Sequence, residues 1–139
     1  MLKSLKRREG RRGAAAVEFA LTLPVILSIM GGAIEFGWYF HESMHMVNAV
    51  RQGARAASMT SSDLGPESVG VAVALDVWTA SGLPGTPACN ATLGTMTSLP
   101  GSTVTVTCSL AYEPMMGQLI PIPQSVTKFA TFQMDPNQG

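Results

Sequence analysis

The longest apolar run in the chain lies near its amino-terminal end. From Ala14 to Phe40 only Glu18 and Glu35 carry charge, and Phe19 to Ile34 carries none. At about 1.5 Å per residue, a helix over this run spans about 40 Å, enough to cross a bilayer with its interfaces. Pro24 predicts a kink rather than an end, because helices in lipid tolerate proline. Gly31-Gly32 leaves a thin stretch for close approach of another helix, and Trp38 and Tyr39 fall where an interfacial aromatic belt belongs. Beyond Phe40 the pattern changes without breaking. Phe36, Phe40, Met44, Val47, Val50, Ala54 and Ala57 recur at three- and four-residue steps, while His41, Glu42, Asn48, Arg51, Gln52 and Arg55 fall mostly on other faces. This predicts an amphipathic continuation, residues 41–60, whose apolar stripe needs a partner.

Pro66-Glu67 opens a second segment that runs to Ser81 and stops at Gly82-Leu83-Pro84-Gly85. Proline in the first turn, an early acid and a terminal glycine favour a short helix, although Val69 to Val73 also reads as a strand. A loop rich in Gly, Pro and Thr follows. After it, Val104, Val106, Cys108, Leu110 and Tyr112 alternate with Thr103, Thr105, Thr107 and Ser109, the pattern of a strand with one buried face. Val126 to Met134 is a second, less regular strand. The connection Pro114–Pro123 is unusually apolar; it either folds over the sheet or forms a contact patch for a partner. The predicted class is α+β: a long amino-terminal helix packed on a small antiparallel sheet, in the manner of a pilin, with a second short helix. The expected divisions are a leader (1–13), a membrane helix (14–40), its amphipathic continuation (41–60) and a small α+β domain (61–139).

Length and charge add compartment and topology. A chain of 139 residues allows one small domain besides the membrane segment. The formal net charge of zero hides an asymmetry. Residues 1–13 carry six basic side chains against Glu9, a net of +5, and residues 14–139 carry three against eight acids, a net of −5. A basic block before an apolar span holds the amino terminus in the cytoplasm and sends the rest outward. No basic fold with interleaved aromatics stands behind it, so nucleic acid is not an expected partner. Cys89 and Cys108 are the two cysteines. In an exported domain such a pair is expected to close a disulfide, worth about 3 kcal/mol in the chain-entropy model; two buried free thiols are the alternative.

A carboxylate inside the span needs a reason, since at a helix centre it is unfavourable by about 2.5–3.5 kcal/mol. Glu18 sits five residues past Gly13, within Arg12-Gly13-Ala14-Ala15-Ala16-Val17-Glu18-Phe19-Ala20-Leu21 and followed by Leu23-Pro24. Ile34-Glu35-Phe36-Gly37 and Ala49-Val50-Arg51-Gln52-Gly53-Ala54-Arg55-Ala56-Ala57 come next. These three blocks, in this order and spacing, resemble the amino-terminal signature of TadE-like proteins, minor pseudopilins of the tight-adherence (Flp) pilus system. The resemblance covers roughly the first 60 residues. It implies cleavage between Gly13 and Ala14 by a prepilin peptidase. Glu18 then becomes the fifth mature residue and pairs with the free amino terminus of a neighbouring subunit. Glu35 is a second candidate for pairing, or marks the outer end of the span. Implied partners are other pilins and pseudopilins, the inner-membrane assembly platform and the bilayer. The implied location is the bacterial inner membrane, single pass, with the carboxy-terminal domain in the periplasm or carried into the pilus.

His41-Glu42-Ser43-Met44-His45 matches HExxH, in which two histidines on one helix face bind zinc and the glutamate serves as general base. The surroundings argue against that chemistry. Only a membrane span precedes the motif, Asn48 and Arg51 stand where the extended motif needs Gly and His, and Glu67 as a third ligand lacks a motif of its own. The expectation is a structural protein without catalysis or cofactor. The competing readings are an unprocessed signal-anchored binding domain and a membrane-tethered zinc hydrolase using His41 and His45. Cleavage at Ala54-Arg55-Ala56 as a secretory signal fits poorly, because the apolar run is too long and the site too distant.

Overall fold

The computed structural model describes residues 3–95, 101–114 and 121–134, with side chains from Gly13 onward apart from Ser62. The elements are α1 (Lys3–Ser58), a 3-10 turn (Ser62–Leu64), α2 (Pro66–Ala80), β1 (Ala88–Thr95), β2 (Ser102–Ala111) and β3 (Ser125–Gln133). A long apolar helix, a second short helix and a three-stranded antiparallel sheet of order β1-β2-β3 make the fold α+β. The chain divides into two compact units, Met1–Gly37 and Trp38–Gly139, and α1 contributes to both.

In the first unit α1 takes in residues of the leader and runs on through Pro24. Proline has no amide hydrogen, so the Ala20 carbonyl loses its usual helical donor. Hydroxyl side chains nearby fold back onto the helix. Ser28 Oγ donates to the Pro24 carbonyl at 2.7 Å, and Thr22 Oγ1 lies 3.1 Å from the carbonyls of both Glu18 and Phe19. Bonding of this kind keeps polar side chains satisfied where no water is at hand.

In the second unit the core is built from Met46, Ala49, Val50 and Ala54 of α1, Ala74 and Trp78 of α2, and Val106, Cys108, Tyr112 and Val126 of the sheet region. Four of these come from α1 at helical spacing, and Val50 and Ala54 belong to the expected stripe, as does the buried Ala57, whereas the first half of that stripe is not buried. Phe40 and Met44 are exposed, as is Phe36 in the first unit, and Val47 is half-buried. The buried face carries the small residues Ala49, Gly53, Ala54 and Ala57. The reason is a close crossing with α2. A methyl group at Gly53 would overlap the Gly70 carbonyl oxygen and lie 2.9 Å from Ala74 Cβ; one at Gly70 would lie 3.0 Å from both Ala57 Cβ and Val106 Cγ2. Small side chains let the backbones meet there, and Met46 and Val50 fill the core beside the crossing, while Phe40 and Met44 stay on the outer face.

The second helix starts where expected, with Pro66 at its first turn, and ends at Ala80 with Ser81 as its cap. Trp78 near its end is buried, and its Nε1–H donates to the Gly85 carbonyl at 2.9 Å. Gly85 has φ +83, a left-handed conformation that L side chains rarely adopt. The loop thus bends back to satisfy the buried indole.

Strand β2 is central. Val104, Val106 and Cys108 are fully buried, as the alternation predicts, while Thr105 shares a hydrogen bond with Thr131 of β3 on the other face. Strand β3 pairs with it from Thr103↔Gln133 to Ala111↔Ser125. Strand β1 occupies a segment expected to be loop. It pairs in register from Ala88↔Ser109 to Thr95↔Ser102 and sets Cys89 directly opposite Cys108. Trp38 and Tyr39, expected in a membrane belt, are half-buried against the core; Tyr39 meets Tyr112 edge to face at 5.3 Å. Of the apolar connection, Ile122 packs against the core, and residues 115–120, which carry most of the alternative contact patch, lie outside the described residues.

Candidate functional site on the amino-terminal helix

Among the described residues, the apolar span is left largely exposed. Val17, Phe19, Leu21, Val25, Ile26, Leu27, Ile29 and Met30 are all exposed. The core helix of a soluble protein would bury such side chains, so this helix, long and apolar enough to cross a membrane, is suited to lipid or to other helices.

Gly13 and Glu18 lie at its start, both exposed. A Cβ added at Gly13 would meet nothing within 4 Å, and the same is true at Gly37. Internal packing therefore gives no reason for glycine there, although in a helix interior it is worse than alanine by about 1 kcal/mol. The two acids of the span part company. Glu18 is exposed, whereas Glu35 is buried, with 1 % of its surface accessible. Of the pair, Glu18 is the one presented outward.

The HExxH segment lies on α1 in the second unit. The rings of His41 and His45 meet edge to face with centroids 4.6 Å apart. His41 is exposed and His45 half-buried. Glu42 behaves differently from the wet-face residue expected. It is buried, and its Oε1 accepts a hydrogen bond from Trp38 Nε1 at 3.0 Å. Among the described residues no group of three or more His, Cys, Asp or Glu side chains is placed to share a metal ion; Glu67 is exposed on α2 and does not join the histidines. The arrangement thus lacks a third ligand of those types, and its glutamate is held by Trp38.

Burial raises the Glu42 pKa above its ordinary value of 4.5, against the smaller lowering effects of the Trp38 hydrogen bond and of His41. A carboxyl whose folded pKa is raised favours folding while protonated. Its contribution is full below about 4.5 and is lost as pH rises through the folded pKa. Glu42→Gln keeps an acceptor for Trp38 and removes the titration. The stability gap between variant and parent, measured by denaturant unfolding at several pH values, is therefore expected to shift in the variant's favour as pH rises from about 4.5. A gap that does not change with pH would refute this.

Cys89 and Cys108 are joined by a disulfide across β1 and β2, with Cys108 fully buried. The expected disulfide is formed, and strand register sets the two cysteines opposite each other.

A membrane-length amino-terminal helix continuing into a small disulfide-linked α+β unit is consistent with a single-pass membrane protein. Residues 13–55 match the family model described as TadE-like protein, so the TadE-like resemblance read from the sequence holds over that segment and points to the Tad pilus system. Comparison with curated proteins and with solved structures finds no match.

Proposed function

We propose that this protein is a pseudopilin-type structural or assembly subunit of a Tad pilus, processed after Gly13 and acting by helix packing rather than by catalysis. The observation that carries the reading is where the family match begins. It starts at Gly13, a glycine that internal packing does not require, with an exposed acid five residues on. Cleavage there creates an amino group at Ala14. In an apolar surrounding, a neighbour's Glu18 is its natural counter-charge, because pairing removes two costly isolated ions at once. The exposed apolar side chains supply the packing surface along the rest of the span. The basic leader keeps the amino terminus cytoplasmic, which puts the second unit and its disulfide in the periplasm, where such bonds persist. The prepilin peptidase, other pilins and pseudopilins and the inner-membrane assembly platform are the partners in pilus biogenesis, adherence or secretion.

Amino-terminal sequencing of the protein from native membranes tests this, in cells with and without the prepilin peptidase. The expected start is Ala14, dependent on the peptidase. A start at Met1 or Leu2 in both strains would leave a signal-anchored periplasmic domain instead.

A further inference from the structure

The proposed pilus reading makes no use of the histidines of the HExxH segment, and the geometry points to a use for them: His41, Met44 and His45 form a copper site, with two imidazoles and a thioether as donors. The three residues occupy positions i, i+3 and i+4 of α1, one turn of one helix face. The imidazole rings already meet, centroids 4.6 Å apart, so rotation about the side-chain bonds brings one nitrogen of each toward a common point. Met44 is strongly exposed for a large apolar side chain, at 73 % of its surface. It does not fill the core, and its sulfur is accessible. His45 and Met44 line one side of an open cleft of about 380 Å³, together with Ser43, Val47, Asn48 and Arg51.

The donor set decides the metal. Imidazole serves zinc, copper and nickel alike, but a thioether is a soft ligand that favours Cu(I). A hard cation such as calcium or magnesium needs several oxygen donors; the one carboxylate within the motif, Glu42, is buried and held by Trp38. Arg51 in the same cleft opposes any cation electrostatically, so the soft bonds rather than charge must supply the affinity. Trp38, its ring 5.6 Å from His41, limits where that imidazole can turn. The site does not rest on the pilus assignment, since it is argued from the placement and exposure of its own donor side chains.

The test is a titration of the untagged full chain in detergent with Cu(I), kept reduced by ascorbate and competed against a chromogenic Cu(I) chelator. Zn²⁺ is titrated separately. The expected result is one Cu(I) per chain, bound more tightly than Zn²⁺. Met44→Leu is expected to weaken Cu(I) by about tenfold or more while leaving Zn²⁺ affinity unchanged, because only copper gains from the sulfur. His41→Gln and His45→Gln should weaken both metals. Met44 and His41 are exposed, so these two variants fold as the parent does, which circular dichroism checks. Equal Cu(I) affinity in Met44→Leu and parent would overturn the assignment, as would binding without a saturating stoichiometry or a preference for Zn²⁺.

Discussion

Gly13→Ala is expected to abolish maturation while leaving α1 intact. The added methyl has open space around it, and alanine in a helix interior is better than glycine by about 1 kcal/mol. The variant should therefore insert into the membrane as the parent does and accumulate as the precursor, thirteen residues longer than the mature form, as read by mass spectrometry of the membrane fraction. Glu18→Ala separates the next step. It should be cut at the same bond yet fail to assemble with other subunits, because the new amino group at Ala14 then has no counter-charge in the membrane. Together the two variants divide processing from assembly. Normal maturation of Gly13→Ala would remove the cleavage reading, and normal assembly of Glu18→Ala would reduce the acid to a residue at the membrane boundary.

The length and apolar character of α1 were readable because their signal is short-range. A long charge-free run needs no knowledge of tertiary contacts. The start of α2 at Pro66 and the alternating β2 were readable for the same reason. What was misread depends on partners distant in sequence. Strand β1 contains Ala88, Asn90, Ala91 and Gly94, poor strand formers on their own, and its conformation comes from pairing with β2 along its length. The stripe assigned to α1 by its spacing held at Val50, Ala54 and Ala57 but not at Phe36, Phe40 and Met44, which are exposed. In the fold, proximity of backbones decides instead, and Gly53 opposite Gly70 selects the small face. Glu42 was placed off the apolar stripe by helical spacing; it is buried, and the indole of Trp38, one turn earlier, provides its hydrogen bond. An acid and a tryptophan at i and i−4 was the one signal that could have pointed to this.

The close crossing of α1 and α2 has a measurable consequence. If α1 and α2 met through large side chains, a valine at position 53 would be absorbed by rotamer changes. They meet through backbone. The first atom a Cβ at Gly53 encounters is the Gly70 carbonyl oxygen, and the next are Ala74 Cβ at 2.9 Å and Ala74 N at 3.3 Å. None of these is the end of a flexible side chain, so the helices themselves must separate. Overpacking of a core typically destabilises by about 1–3 kcal/mol, and the branched side chain of Gly53→Val puts it at the upper end, near 3 kcal/mol. For a unit of this size each kcal/mol lowers the melting temperature by about 4–8 °C, so the loss should be plain in a thermal melt. Gly53→Ala should lose less, because better helix propensity offsets part of the clash. Gly37→Ala, where the added methyl meets nothing, should be neutral or stabilising. If Gly53→Val melted with the parent, α1 and α2 could not be in backbone contact, and the small face of α1 would need another partner.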